Sequence, residues 1–393
     1  MLSDEQTLVS TGQAYSHALT KILADIAALA PDTDREGLFP EQAFQLLARA
    51  GLLAVTLPGQ PLDAHLTSTP ALLTLLKQLG GANLAVGRVY EGHVNALLLA
   101  QTFGTDRQCD HWFGHVADQH ALFSVWNTQA HDGVKIHALS NGTYELEGAK
   151  TFCSGADWID RPLITGELLA NGKPGGWQMA ILPAGALKQA TVEGQFWQPL
   201  GMRASASFRI DFTGITLQPD DLLGQPGDYF RQPFFSGGAI RFAAVQLGGA
   251  EALLDATRQL LRETGRTHDS HQQVRLAEMA VLVETGNLWL KQAGLNTDAW
   301  LNECAATTDP AQQADRIVAY ANMTRTVIET ICLDVMRLAE RSVGARGFLR
   351  PMPFERIHRD LTMYLRQPAP DATLTDIGQY VAHQTSLAND LWK

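Results

Sequence analysis

The spacing of apolar residues changes character twice along the chain. In roughly the first 118 residues, apolar side chains recur every three or four positions, as in Ala71–Leu79 (ALLTLLKQL) and His93–Gln101 (HVNALLLAQ). This spacing places them on one face of a helix. Gly51, Pro58-Gly59 and Gly80-Gly81 interrupt the pattern. Because such residues favour turns, the region is predicted to hold several helices.

Between about residues 121 and 223 the pattern shortens to alternating runs with turn residues between them. Phe208, Ile210 and Phe212 recur with a period of two, which gives a strand one apolar face. Asn-Gly pairs at 141–142 and 171–172 are typical of hairpin turns that need a positive φ. The region is therefore predicted to be a β-domain.

The helical spacing returns from about residue 229, with helices predicted near 239–262, 271–293, 312–343 and 372–390. The resulting order predicts an α+β chain of three parts. These are an N-terminal helical domain at 1–119, a middle β-barrel or sandwich domain at 120–225, and a C-terminal four-helix bundle at 226–393.

Composition and charge narrow the possible partners. The 393 residues carry a net charge of −11 without a lysine and arginine cluster, which argues against nucleic-acid binding as the main task. No apolar run approaches the roughly 18 residues that span a bilayer, and the polar N-terminus lacks a signal-peptide apolar region. The four cysteines are scattered, so neither a disulfide framework nor a metal site is predicted. We expect a cytoplasmic protein with no nucleic-acid or membrane partner.

Four segments share their order and spacing with one known family. They are Gly148–Ala156 (GAKTFCSGA), Leu200–Ser207 (LGMRASAS), Gly344–Phe348 (GARGF) and Arg359–Asp371 (RDLTMYLRQPAPD). Together they resemble the acyl-CoA dehydrogenase superfamily over nearly the whole chain. The resemblance implies the acyl-CoA dehydrogenase-like fold, a flavin cofactor (FAD or FMN) and a homotetramer or homodimer.

The resemblance also implies cofactor-binding residues. By position, Phe152 lies beside the flavin ring and the Ser154 hydroxyl bonds near its N5 atom. Trp126 falls in a flavin-contacting loop, although the Pro-Gly element of that loop is absent here. Arg275 is a candidate phosphate ligand. In the family, the turn that contains Gly344 and Gly347 serves the flavin pyrophosphate of a neighbouring subunit, where backbone N–H groups suit a phosphate.

The glutamate that removes the substrate α-proton in the family is missing from both of its known places. Counted from Arg359-Asp360, it falls at Pro368, and the alternative position is occupied by Ile240. Neither side chain can accept a proton. If desaturation of an acyl thioester survives, its base has moved, and Asp371 and Glu91 are the candidates.

Other residues resemble the flavin-dependent monooxygenase branch of the superfamily. His93 matches a histidine that faces the reactive edge of the flavin, and Asn127 matches an active-site asparagine. A second histidine of that branch is not reproduced; Tyr364 and Gln367 stand near its place. The resemblance predicts His93, Asn127 and Ser154 as catalytic residues. Oxygen activation needs hydrogen-bond donors around the flavin and a pocket that keeps water out, and no α-proton base.

Each of these residues also has a structural interpretation. A histidine in an apolar helix is commonly a packing residue, Phe152 suits a strand core, and Ser154 and Asn127 suit turns. Arg275 is spaced to pair with Glu278 on a helix surface, and Asp371 is placed to cap the last helix.

Three functions therefore compete. The first is an oxygen-activating flavoenzyme that acts on a small molecule and is supplied by a separate flavin reductase or electron-transfer flavoprotein. The second is an acyl-CoA dehydrogenase with a relocated base. The third is a flavin-binding protein without turnover. The missing glutamate disfavours the second, and the residues around His93 and Asn127 disfavour the third.

Overall fold

The computed structural model describes residues 4–58, 68–303, 310–366 and 369–392. Pro368 and Gln367 lie outside the described residues, as does Cys304. The remaining cysteines, Cys109, Cys153 and Cys332, are free thiols. None of the helices in the described ranges is long and apolar enough to cross a membrane.

Helices form both ends of the chain. The described ranges contain α1 (Asp4–Thr33), α2 (Glu41–Arg49), α3 (Thr69–Ala82), α4 (Leu84–Phe103), α5 (Asp106–Gln119), α6 (Ala239–Glu263), α7 (Ser270–Glu303), α8 (Pro310–Gly347), α9 (Phe354–Tyr364) and α10 (Pro370–His383). Helix α4 begins where the Asn83 Oδ1 atom accepts the backbone N–H of Ala85 at 2.9 Å. Helix α9 was not predicted from the sequence, and α10 ends at His383 because Gln384 takes extended backbone.

The middle of the chain folds into two β-sheets. Its strands are β1 (Phe123–Trp126), β2 (Lys135–Ala138), β3 (Tyr144–Glu147), β4 (Ala149–Cys153), β5 (Arg161–Ala170), β6 (Lys173–Ile181), β7 (Thr191–Glu193), β8 (Phe208–Asp211), β9 (Thr216–Leu217) and β10 (Leu222–Leu223). The larger sheet has the order β10-β6-β5-β2-β3-β9, with β1 also beside β5, and the smaller has the order β4-β8-β7. Strand β5 is long enough to pair β1 along one half and β2 along the other.

The hairpin between β5 and β6 shows why its turn sequence was informative. Ala170 pairs with Lys173, so that Asn171 and Gly172 form a two-residue loop. Both loop residues have a positive φ, at 53° and 73°. An Asn-Gly pair tolerates this conformation, which matches the twist of the flanking strands.

Helices α3 and α6 approach each other closely through facing glycines. A Cβ atom built at Gly248 would lie 2.0 Å from the Lys77 carbonyl oxygen, and one built at Gly80 would lie 2.2 Å from the Val245 carbonyl oxygen. Only hydrogen fits at these two positions. The contact joins the N-terminal helices to the C-terminal bundle.

A second junction joins the β-domain to α9. The Asp360 carboxylate accepts the backbone N–H of Met202 at 2.6 Å. A Cβ atom at Gly201 would lie 2.0 Å from the Arg359 carbonyl oxygen. The Arg359 guanidinium also donates to the Leu200 carbonyl at 3.2 Å. Two of the predicted motif segments, Leu200–Ser207 and Arg359–Asp371, therefore meet through their backbones.

Candidate flavin and substrate site

Strand β4 presents an aromatic ring at the surface of the β-domain. Its register to β8 shifts between Lys150 and Cys153, and Phe152 within this bulge has φ +55°. The bulge turns the ring outward, where it is 43% exposed. Phe196 and Trp197 meet it edge-on, with centroids 5.4 and 5.9 Å away. An exposed aromatic ring fixed in this way can support a flat ligand.

The Ser154 hydroxyl is buried next to this ring and belongs to a row of three serines. Its Oγ atom is 2.8 Å from Ser207 Oγ, which is 2.7 Å from Ser205 Oγ. A serine hydroxyl has one donor and two acceptor positions. Ser154 can therefore accept a hydrogen bond within the row and still donate one outward.

Trp126 lies behind this strand. Its ring is 1% exposed and packs near Phe212, and its indole N–H donates to the Ser154 carbonyl at 3.0 Å. The residue predicted to contact flavin is thus placed in the core, where it fixes the backbone of Ser154. Its burial depends on the contact with Phe212, which is distant in the chain, and the local sequence pattern does not report that contact.

Asn127 is held by a network around a buried lysine. Its Oδ1 atom accepts from Thr165 Oγ1 at 2.6 Å and from Trp177 Nε1 at 3.3 Å. Lys150 Nζ donates to the Asn127 carbonyl at 3.0 Å, to Gln129 Oε1 at 2.6 Å and to Thr165 Oγ1 at 3.2 Å. With its oxygen engaged, the Asn127 side chain keeps its Nδ2 donor for a ligand.

Lys150 forms no ion pair within the described residues. Its ammonium group also lies 4.9 Å from the centre of the Trp177 ring. Burial lowers the pKa of Lys150 to about 7, because desolvation penalises the charged form. Sequence analysis missed this residue, although a lysine inside a predicted strand motif was the available signal.

His93 has no free ring nitrogen. Its Nε2 atom donates to the Leu53 carbonyl at 2.7 Å, and its Nδ1 atom accepts the backbone N–H of Phe123 at 3.0 Å. The side chain is fully buried. Burial lowers its pKa to about 4, so the ring is neutral at pH 7. The arrangement ties the turn after α2 to the start of β1 and corresponds to the structural interpretation of this residue.

Helix α4 carries a buried polar cluster that the sequence analysis did not find as a unit. The Glu91 carboxylate accepts from Arg88 Nη1 at 2.9 Å and from the Asn95 amide. The Asn95 Oδ1 atom in turn accepts from Arg241 Nε on α6. The spacing of polar residues at 88, 91 and 95 along an apolar helix was the signal that could have found it.

Two arginines and a glycine turn meet where α7 begins and α8 ends. In the orientation that satisfies its neighbours, the Gln272 amide oxygen accepts from Arg275 at 3.1 Å and from Arg266 at 2.7 Å, and its nitrogen donates to Ser342 Oγ at 3.1 Å. Gly344 interrupts the helix with φ +61°. Neither arginine forms an ion pair within the described ranges, so the pairing of Arg275 with a glutamate is not observed. Such a group of donors suits a phosphate.

Glycine is needed at position 347 for a different reason, which is close packing. A Cβ atom there would lie 2.3 Å from the Val343 side chain, which makes it a close-packing position. Asp371 is exposed within the first turn of α10, whose N-cap is Ala369, so the prediction of an Asp371 cap is wrong. With proline at the first helical position, the cap lies two residues earlier than expected.

The predicted residues fall into two groups. Phe152, Ser154, Trp126, Asn127 and His93 lie on or behind β4 and β1, linked through backbone and side-chain hydrogen bonds. The second group consists of Arg275 with Gly344 and Gly347 at the end of the bundle. In the described part of the chain no hydrogen bond joins the two groups.

Known proteins share this architecture over most of their length. A dibenzothiophene monooxygenase of Mycolicibacterium goodii is 22% identical over 384 residues, which cover 90% of each chain. A probable acyl-CoA dehydrogenase of Bacillus subtilis (strain 168) is 24% identical over 351 residues, which cover 86% of this chain and 88% of its own. FMN-bound TdsC from Paenibacillus sp. A11-2 superposes with a TM-score of 0.85 at 19% identity, covering 97% of this chain and 100% of that one.

Family models match both helical parts. The acyl-CoA dehydrogenase N-terminal domain matches residues 15–120, and the acyl-CoA dehydrogenase C-terminal domain matches residues 240–365. Together they account for more than half of the chain. The fold predicted from the sequence is confirmed, as is the prediction of a flavin-dependent oxidoreductase. The chain belongs to the acyl-CoA dehydrogenase family.

Proposed function

We propose that this chain activates oxygen with a bound flavin that a separate flavin reductase or electron-transfer flavoprotein reduces. The observation that carries the proposal is the state of Glu91, the buried candidate for a relocated base. Both of its carboxylate oxygens already accept hydrogen bonds, from Arg88 and Asn95. A base needs an oxygen within reach of the substrate proton. Asp371, the other candidate, is exposed on α10.

The side chains around β4 fit a flavin. Phe152 offers an exposed ring face, Ser154 has a hydroxyl donor to spare, and Asn127 has a free amide donor. When bound, FMN or FAD supplies the electron transfer. Phe152, Ser154 and Asn127 would hold the flavin ring, the first by packing and the other two by hydrogen bonding. Lys150 and Thr165 fix Asn127, so the donor needs no rearrangement when the ligand arrives.

His93 contributes to this site through the backbone. Both ring nitrogens of His93 bond main-chain groups, one of them the N–H of Phe123, so His93 fixes the start of β1. The residue after Phe123 is Ser124, whose hydroxyl donates to the Ser154 carbonyl at 3.3 Å. We therefore propose that Asn127 and Ser154 act at the flavin and that His93 holds the strand that positions them.

A phosphate of the cofactor is proposed to bind at Arg275 and the Gly344 turn of a neighbouring copy. The support is a pair of arginines, beside a glycine turn, that form no ion pair with any residue the structure describes. Helix α7 gives a surface for association. Val274, Val281, Leu288 and Leu295 are all exposed on it at intervals of seven residues. A seven-residue apolar repeat is typical of helices that pack against other helices.

The experiment uses the purified protein loaded with FMN or FAD. We expect bound reduced flavin to be reoxidised by oxygen and the oxidised form to stay coloured on mixing with butyryl-CoA or octanoyl-CoA. Ser154→Ala removes one donor to a charged group and is expected to slow reoxidation roughly ten- to a hundredfold. Ser140→Ala, at an exposed serine between β2 and β3, is the control and leaves the rate unchanged.

Two outcomes would contradict the proposal. Rapid bleaching of the flavin by an acyl-CoA would show that this chain is a dehydrogenase with a base elsewhere, the reaction for which the Bacillus relative is named. Tight flavin binding without reaction in either assay would favour a protein that binds flavin without turnover.

A further inference from the structure

The polar cluster on α4 contains more positive than negative charge. Arg88 and Arg241 contribute two guanidinium groups, and Glu91 is the only carboxylate bonded to the cluster within the described residues. Glu91 is 3% exposed. Burial lowers the pKa of Arg241, and the Glu91 carboxylate opposes that shift only in part. A half-buried guanidinium without a full counter-charge is partly desolvated, and a bound anion would offset that cost.

A second observation points to a ligand at the same place. The Tyr364 hydroxyl is buried and has no hydrogen-bond partner within the described residues. Tyr364 lies on α9, which packs against both α4 and α6, the helices that carry Arg88 and Arg241. A sealed hydroxyl without a partner is rare in native structures, since it loses a hydrogen bond that water would make.

The cluster adjoins the proposed flavin site. A Cβ atom at Gly92 would lie 3.0 Å from Ser124 Oγ and 3.4 Å from Arg88 Nη1, so these two side chains approach each other across the glycine. Ser124 Oγ donates to the carbonyl of Ser154 at 3.3 Å. The cluster therefore lies next to the backbone of Ser154, the residue proposed to act at the flavin.

We propose that Arg88, Arg241 and Tyr364 bind an oxyanion group of the substrate, such as a sulfonate or carboxylate, and so place its remainder beside the flavin. Guanidinium groups bind oxyanions through directed N–H bonds, and a tyrosine hydroxyl adds a third donor. Glu91 and Asn95 orient the two arginines. The inference rests on the proposed function because it names the substrate class of that site.

Binding of two matched probes tests the inference on flavin-loaded protein. Hexanesulfonate carries the anionic group and hexanamide is its neutral counterpart, and their dissociation constants are measured by calorimetry and by the change in flavin absorbance. We expect hexanesulfonate to bind at least about tenfold more tightly than hexanamide. Added salt should weaken the binding of hexanesulfonate and leave the binding of hexanamide unchanged.

Variants separate binding from a purely structural role. Arg241→Gln should weaken hexanesulfonate by about tenfold or more, and Tyr364→Phe by about three- to tenfold, with hexanamide unaffected. Glu91→Gln removes a negative charge and should strengthen hexanesulfonate binding. If Glu91 has only a packing role, Glu91→Gln should weaken hexanesulfonate binding or leave it unchanged. Arg258→Gln on the exposed face of α6, where Arg258 pairs with Asp255, is the control and leaves both affinities unchanged.

The outcomes distinguish this inference from the proposed function. If the protein binds flavin and reacts with oxygen but binds both probes equally, the oxyanion site is wrong and the proposed function stands. Glu91→Gln that weakens hexanesulfonate binding would also overturn the inference. If the protein fails to bind flavin, the proposed function is wrong, and calorimetry on the flavin-free chain still decides whether hexanesulfonate is preferred.

Discussion

At the scale of the residue, His93 shows that a histidine, a residue type common in catalysis, can have both ring nitrogens engaged in structural hydrogen bonds. Burial holds its pKa at about 4 in the folded protein against 6.5 in the unfolded chain. Between these values the unfolded chain binds a proton that the folded protein does not, so the free energy of unfolding falls as pH drops from 6.5 to 4. Below pH 4 this one histidine makes the free energy of unfolding about 3 kcal/mol lower than it is above pH 6.5.

The prediction is measured by denaturant unfolding at several pH values for the parent and for His93→Gln. The amide of glutamine can still donate to the Leu53 carbonyl but does not titrate. The variant should lose less stability between pH 6.5 and 4 than the parent. His131→Gln, which removes an exposed histidine, is the control. Equal pH dependence in the parent and His93→Gln would show that His93 is not held neutral by the fold.

At the scale of the element, the contact between α3 and α6 depends on glycine. Gly248→Ala places a methyl group against the Lys77 carbonyl, and the helices must separate. We expect this to lower the free energy of unfolding by roughly 1–3 kcal/mol. Gly378→Ala on α10 is the matched control, because a Cβ atom there meets nothing within 4 Å. The control should stabilise the protein by roughly 0.5–1 kcal/mol, since alanine favours helix.

Both changes are measured by thermal or denaturant unfolding monitored by circular dichroism. Equal small effects of the two substitutions would show that the α3–α6 contact tolerates a larger separation than the structure indicates. Retained flavin binding in Gly248→Ala would show that the change acts on packing and leaves the site intact.

Elements were predicted well where the information is local. The Asn171-Gly172 turn fixes its own hairpin, and the apolar periodicity located the long helices. The burial of Trp126 depends on Phe212, which directly follows β8, and Arg241 reaches Asn95 from a helix about 150 residues away. Periodicity reports which face of an element is apolar and says nothing about which element will cover it. The motif of β4 predicted Phe152 and Ser154. The polar spacing on α4 was readable in the sequence, whereas its pairing with Arg241 of α6 required the fold.

At the scale of the whole molecule, the exposed apolar residues of α7 predict self-association. Val281 and Leu288 are 67% and 60% exposed in the single chain. Val281→Glu combined with Leu288→Lys places charges in that face and should shift the parent oligomer, expected to be a tetramer or dimer, toward monomer. Sedimentation velocity at micromolar concentration measures the change.

The control replaces exposed apolar residues elsewhere. Leu387→Glu near the C-terminus should leave the oligomeric state unchanged, although Leu387 is 77% exposed. Flavin titration of the same proteins tests the proposed shared phosphate site, since a monomeric variant would lack the Arg275 that is proposed to come from a neighbouring copy. A parent protein that sediments as a monomer and still binds flavin tightly would contradict both parts of the prediction.

The close contact at Gly201 also affects how the β-domain could be exchanged between related enzymes by recombination. Strands β1 and β10 are separated in their sheet only by β5 and β6, so the strands by which the chain enters and leaves the β-domain lie about 14 Å apart across the sheet. A segment with such close ends can be recombined between relatives with little disturbance of its own fold. The limit is set by α9, because the Arg359 carbonyl leaves no room for a side chain at Gly201. A hybrid enzyme would therefore keep the contact between the β-domain and α9 only if Gly201 and the Arg359-Asp360 pair came from the same parent protein.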